Sequence, residues 1–232
     1  MHIRSPSGRL RQKSSHLTPL QIIIGYRSMR LLILLILLMT YTISVIQAFA
    51  DTLDIKMVPF LSPLQRNLLT KDYDAAGIKK AQYTLAVSPQ GAWQSFYWDT
   101  IPAEDRARNV LERCEQITKN RCFMVYENGK MTNERTPRPT VMRYPTEFDP
   151  IQIPFITSKL RQQIKKAYPG LNPDKALALD SLGGYGASYG ENDEATASKL
   201  AVDNCESKSR GNKCFLYIIN EKIVFNKNTK IN

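Results

Sequence analysis

Cysteines, carboxylates and one dense aromatic run are the side chains here whose types and spacing could do chemistry. Cys114 and Cys122 are eight residues apart, and Cys205 and Cys214 are nine apart. Neither spacing is the two-residue separation of a thioredoxin-like CxxC, so local disulfides are expected rather than redox catalysis. His2 and His16 both fall within the first 50 residues. A chain without that segment has no histidine, which removes histidine triads, a histidine general base and histidine-containing zinc sites. Carboxylates remain as acids. Asp99, Glu104 and Asp105 follow the aromatic run, and Glu191, Asp193 and Glu194 follow its later counterpart. A glycosidase requires two carboxylates facing each other across a cleft. These acids instead sit where helices begin, and there they stabilise the helix dipole. No catalytic residue, metal site or cofactor is therefore assigned.

The aromatic run is Trp93-Gln94-Ser95-Phe96-Tyr97-Trp98-Asp99. As a strand it places Trp93, Ser95 and Tyr97 on one face and Gln94, Phe96 and Trp98 on the other. One face enters a core, and the other must be covered by a helix, a neighbouring unit or a ligand. Trp93, Tyr97 and Trp98 are candidate ligand-binding residues, joined by Tyr185 and Tyr189 at matching positions further along; core packing accounts for the same residues. Gly183 to Gly190 is glycine-rich but lacks the Lys-Ser/Thr end of a phosphate loop, and reads as a tight strand turn.

These residues are positioned by a unit that occurs twice. Val58-Pro59-Phe60-Leu61-Ser62 returns as Ile153-Pro154-Phe155-Ile156-Thr157, and Arg66 and Tyr73 match Arg161 and Tyr168 at the same offset of 95. Gly91-Ala92-Trp93 then matches Gly183-Gly184-Tyr185, Cys122-Phe123 matches Cys214-Phe215, and Asn128 matches Asn220. The expected organisation is a leader over 1–50, a short segment 51–57, a first repeat over 58–132, a proline-rich connector over 133–152, a second repeat over 153–226 and a tail over 227–232. The fold class is α+β: two tandem units of helix-strand-strand-helix-strand-strand, each with an antiparallel sheet and a local disulfide.

Each unit opens on a helix. Ser62-Pro63-Leu64-Gln65 supplies a serine cap, a proline in the first turn and a glutamine at the third position. The second helix is marked by Ala103, Ala107, Val110, Leu111 and Cys114 on one stripe, with Glu104, Asp105, Arg106, Arg108 and Glu112 expected to face water. Its counterpart begins at Asp193 and is alanine-rich. Asn128-Gly129 is a type I′ hairpin signal, and Asn220-Glu221 a poorer one. In each unit one cysteine closes the second helix and the other opens the next strand, so the repeat assigns Cys114–Cys122 and Cys205–Cys214. The chain-entropy estimate for each is about 2.5 kcal/mol.

The net charge is +11, but six basic and no acidic residues lie within the first 50. The remainder carries 26 basic against 21 acidic residues, a net +5 that is no argument for nucleic acid. Arg27 and Arg30 precede the aliphatic run Leu31–Met39, and Ala48-Phe49-Ala50 precedes Asp51. This order is that of a secretory signal peptide cut after Ala50, with Met29 as an alternative start. The rival reading is a membrane anchor over 31–50. Periplasmic or secreted location is expected, with membrane contact only if the leader is retained, and export places the cysteines in an oxidising compartment.

The leader, the [VI]PF[LI][ST] opener, the glycine-aromatic turn and the paired cysteines together resemble small exported repeat proteins of proteobacteria. A related bacterial domain pairs a Gly-aromatic-Gly segment with a helix and local cysteines; Gly184-Tyr185-Gly186 keeps that form, and Trp93-Gln94 loses the second glycine. The resemblance implies an envelope or secreted protein and brings no characterised activity. If the glycine admits a ligand, only the second repeat retains that feature. The expectation is a non-enzymatic envelope protein with a structural or interaction role, binding a peptide or glycan through its aromatic strands. Its expected partners are an envelope protein or polysaccharide. The alternative is an enzyme acting on an envelope polymer through carboxylates.

Overall fold

The computed structural model describes residues 52–97, 100–132, 141–209 and 211–231. Residues 1–50, expected to be a leader cut after Ala50, lie outside them together with Trp98 and Asp99. In the first repeat the elements are α1 (Pro63–Ala75), β1 (Thr84–Val87), β2 (Trp93–Phe96), α2 (Ala103–Thr118), β3 (Phe123–Glu127) and β4 (Lys130–Met131). The second repeat gives α3 (Ser158–Ala167), β5 (Ala176–Leu179), β6 (Tyr185–Ser188), α4 (Glu194–Glu206), β7 (Phe215–Ile219) and β8 (Lys222–Ile223). Two antiparallel sheets result, in the orders β2-β1-β3-β4 and β6-β5-β7-β8. The α+β architecture and its duplication are thus as the sequence implies.

Local chemistry sets the boundaries. Ser62 and Gln65 form the full capping box at the start of α1, with Pro63 in its first turn. Thr157 caps α3 and Asp193 caps α4. Asn128 and Gly129 both take positive φ, 52° and 77°, as a type I′ turn requires. At the weaker turn Asn220 alone does so, and its side chain is held by the Lys175 N–H, which donates to Oδ1 at 3.1 Å. The two disulfides are Cys114–Cys122 and Cys205–Cys214.

Each sheet is the middle of three layers. Leu85 and Val87 point to the α1 side and join Val58, Leu69, Tyr73 and Tyr126, while Ala86 points to α2 and joins Phe96, Val110, Leu111 and Met124. In the second repeat Leu177 and Leu179 face the α3 side, and Ala176 and Ala178 face α4. Period-2 alternation with both faces covered is why β1 and β5 are buried throughout. One residue is inserted in each ladder, Val125 against β1 and Tyr217 against β5, so the same bulge occurs in both copies.

Two expectations need correction. The charged face of α2 does not meet water: Asp105, Arg106 and Glu112 are all buried, at 2%, 7% and 1% exposure. Arg106 turns back on its own repeat and donates to the Ile101 carbonyl and to Asn128 Oδ1, whereas the two acids meet the start of the second repeat: Asp105 accepts from the Ser158 N–H and hydroxyl, and Glu112 from the Phe155 N–H at 2.6 Å. Arg161 sits in the same seam beside Asp105 and Glu112. Helical periodicity marks which face is apolar, but a second unit can bury a polar face when its own donors satisfy it. The described part of the connector, 141–152, is likewise less open than its prolines imply. Met142 is buried in the second core with Tyr144 and Phe148 packed against that core, and the Glu115 carboxylate accepts from the Val141 and Met142 N–H groups.

Candidate functional site

β2 is an edge strand, and its outer margin borders a cavity of about 440 Å³. Trp93, Ser95 and Tyr97 lie on its α1 side. Tyr97 stacks on Tyr83 with ring centroids 6.1 Å apart and planes 6° from parallel, and Trp93 packs half-buried against the same core. From α1, Asp72 Oδ2 accepts from the Tyr83 hydroxyl at 2.5 Å and the Ser95 hydroxyl at 2.6 Å. Burial first, and then the neighbouring Asp72 carboxylate, push the Tyr83 phenol far above its ordinary range. Tyr83 is therefore a fixed hydrogen-bond donor, not an acid.

From α2, Arg113 enters the same cavity. One terminal nitrogen donates to the Ser95 carbonyl at 3.5 Å, and its buried Nε meets no acceptor among the described residues. Burial pushes this guanidinium down to about 10, against the pull of Asp180 and Asp72. It remains a cation at neutral pH and is short of partners. The cavity thus offers an indole, the Gln94 amide, a carboxylate and an under-used guanidinium. That combination can hold a polar, partly planar or anionic group. The Ser95 hydroxyl is spent on Asp72, the same carboxylate that holds Tyr83.

Of the sequence-derived candidates, Trp93 and Tyr97 meet here. Trp98 lies outside the described residues. Tyr185 is half-buried against the second core with the Lys208 ammonium 5.7 Å over its ring, whereas Tyr189 is 56% exposed. The four described candidates are not brought into one site. The acids are placed apart as well. Glu104 is exposed, and Asp105 is spent on Ser158. Glu191 accepts from Ser188 and Glu194 from Asn220, while Asp193 is held below the usual carboxylate range by the Thr196 N–H that it caps.

Gly186 admits a helix rather than a ligand. A Cβ there falls 2.7 Å from Asn204 C and closer still to Cys205 N and Ala201 O, so the glycine lets α4 lie directly on β6. Gly184 in turn makes room for the Asp180 carboxylate, which accepts from the Leu182 and Gly184 N–H groups. Asp72 and Arg113 were missed from the sequence. One signal was available for Arg113: it has no acid three or four residues away on its own helix, where Asn109, Val110, Gln116 and Ile117 stand.

Among the described residues no group of three or more His, Cys, Asp or Glu side chains could hold a metal ion, and no helix is long and apolar enough to cross a membrane. Fold and site define a two-repeat α+β protein with buried aromatic clusters. Comparison with family models, curated proteins and solved structures finds no match.

Proposed function

We propose that this chain is a non-enzymatic, exported envelope protein with an interaction role, binding a peptide or glycan along β2. The observation that carries this reading is the guanidinium of Arg113, held in a cavity beside Trp93 and left with unused donor capacity. A buried cation short of acceptors is costly, and a ligand carboxylate, amide or sugar hydroxyl would complete its hydrogen bonding. The basic–aliphatic–AFA order of the leader supports export, and the structural use of Asp105, Asp193 and Glu194 supports a role without catalysis.

The test is recovery of residues 51–232 on envelope extract and on purified peptidoglycan, followed by titration with the fragments retained. Arg113→Gln and Trp93→Ala are expected to weaken binding by about thirtyfold each, as interface hot spots of about 2 kcal/mol do. Tyr189→Ala serves as the exposed control and should change little. Unaltered recovery with both cavity variants, in proteins shown to be folded by circular dichroism, would remove this site from consideration.

A further inference from the structure

The outer margin of β2 is unusual in which of its backbone groups are free. In the ladder to β1, Gln94 pairs with Ala86 and Phe96 with Thr84, and the Ser88 N–H donates to the Ala92 carbonyl where the strand begins. Trp93 and Ser95 therefore turn their N–H and C=O groups away from the sheet. Both of these carbonyls are engaged. That of Trp93 accepts from the Gln94 side-chain amide at 2.7 Å, and that of Ser95 from Arg113 at 3.5 Å. Neither outward N–H has an acceptor among the described residues. The edge thus presents a set of donors: two N–H groups two residues apart, and beside them the Arg113 guanidinium with its buried Nε unsatisfied.

The surroundings leave that set unanswered. Asp72 lines the cavity, but its Oδ2 already accepts from the Tyr83 and Ser95 hydroxyls. Asp180 of the second repeat is turned on its own loop, where Oδ1 accepts from the Leu182 and Gly184 N–H groups. Leu182 lines this cavity and also a neighbouring one of about 380 Å³, whose cations are Lys79 and Lys208. Donors and positive charge thus run together beside β2. The second repeat lacks the combination. At its edge strand the Ala187 carbonyl accepts from the neutral Asn204 amide at 3.0 Å, and Gly186 stands in the place of Gln94.

We propose that β2 is extended by a peptide, which lies along it as a further strand and brings a carboxylate to Arg113. This rests on the reading of β2 as the ligand site and narrows the ligand to a polypeptide. An extended chain turns carbonyls to one side at every second residue, about 6.6 Å apart, which is the repeat of the Trp93 and Ser95 N–H groups. A glycan offers hydroxyls and ring oxygens without that repeat. The 3.5 Å bond from Arg113 is long. A peptide N–H therefore replaces it at the Ser95 carbonyl and releases the guanidinium to the carboxylate, a charge-assisted pair stronger than the bond given up.

Titration and amide hydrogen exchange of residues 51–232 test this. The probe is a pool of acetylated tetrapeptides of Val, Thr and Glu with a free C-terminus. It is compared with a neutral pool, in which Gln replaces Glu and the C-terminus is an amide, and with a hyaluronan tetrasaccharide, which carries carboxylates without a peptide backbone. The acidic pool should slow exchange at the Trp93 and Ser95 N–H groups by at least about tenfold, and the neutral pool should bind at least about tenfold more weakly. Ser95→Pro removes one outward N–H without touching the ladder to β1 and should weaken peptide binding by at least about tenfold, whereas Ala187→Pro, the same change at the edge of β6, should not. Peptide binding that leaves both N–H groups exchanging freely overturns the proposal. So does protection in the free protein that grows with its concentration, which would place a second copy's strand on the edge. Absence of peptide binding overturns it as well; if the tetrasaccharide then binds and Arg113→Gln abolishes that binding, β2 stands as the ligand site for a glycan. Retention on envelope extract unaffected by Arg113→Gln and Trp93→Ala removes the site itself.

Discussion

The two repeats share an opener, a strand order, a bulge and a disulfide, yet the layer between sheet and second helix is filled differently. In the first, Thr84, Ala86, Phe96, Val110, Leu111 and Met124 fill it. In the second, Ala176, Ala178, Ala197 and Ala201 do so, and Gly186 lies under the helix backbone. At the position of Gly186 the first repeat has Gln94, and the residue reaching the edge-strand carbonyl is Arg113 instead of Asn204. The small residues close α4 onto β6. The larger ones leave the cavity beside β2. Glycine and alanines thus give the second repeat its closer helix–sheet layer, and glutamine with the larger residues accompanies the cavity beside β2.

The largest effect expected from this comparison is at Gly186. Gly186→Gln copies the first repeat into the second, but it drives a side chain into the backbone of α4. A loss of about 4 kcal/mol or more in urea unfolding is expected, with the reverse swap Gln94→Gly costing about 1 kcal/mol. Equal costs would show that the helices pack alike and that the cavity has another origin.

A smaller difference is expected between the equivalent acids Glu112 and Asp203. Glu112→Ala strands the Phe155 N–H and Arg161 in the seam and should cost about 3–5 kcal/mol. Asp203→Ala, on a face open to solvent within one chain, should stay within about 0.5 kcal/mol in dilute protein. Similar losses at both would mean that the seam is not what holds the repeats together.

The smallest effect is in pH dependence, and it also divides seam from surface. Burial raises the carboxyls of Glu112 and Glu115 above their ordinary range, outweighing Arg108 and Arg161 for the first and the Val141 and Met142 N–H groups for the second. The folded chain therefore binds their protons more tightly than the unfolded chain, whose Glu titrates near about 4.3. Their contribution to stability falls as pH rises from that value through the raised one. Asp149 and Asp193 act oppositely. Hydrogen bonds from Gln152 and Thr196 hold them low, so their contribution is present above the ordinary range and is lost in acid. Urea midpoints should decline as pH rises above the unfolded value of about 4.3, and Glu112→Gln combined with Glu115→Gln should flatten that slope. A slope unchanged in the double variant would assign it to other groups.

Much of this was legible in one dimension. Ordered matches between the copies gave the duplication, the cap residues Ser62 and Asp193 gave helix starts, and cysteines at equivalent corners gave both disulfides. The candidate site was only half legible: Trp93 and Tyr97 were visible as a dense aromatic strand, whereas Asp72 and Arg113 come from two helices far away in sequence. Tyr185 and Tyr189 matched them by position but not by surroundings, because a repeat pattern specifies a fold and not the contents of the space beside it. Glycine-aromatic-glycine was read for what it could admit, but a missing Cβ is equally an invitation to a ligand or to a helix.

By itself, the sequence determined which residues alternate, where helices begin and which cysteines are neighbours, since these follow from local periodicity, capping and short loop closure. Only the tertiary structure decided that the charged face of α2 is buried, that Phe155 is covered while Phe60 is not, and that Arg113 lies beside Trp93. Those outcomes depend on which surface of one repeat meets which surface of the other. Burial of a polar face is favourable only when donors from a distant segment, here Phe155 N–H, Ser158 and Arg161, arrive to satisfy it.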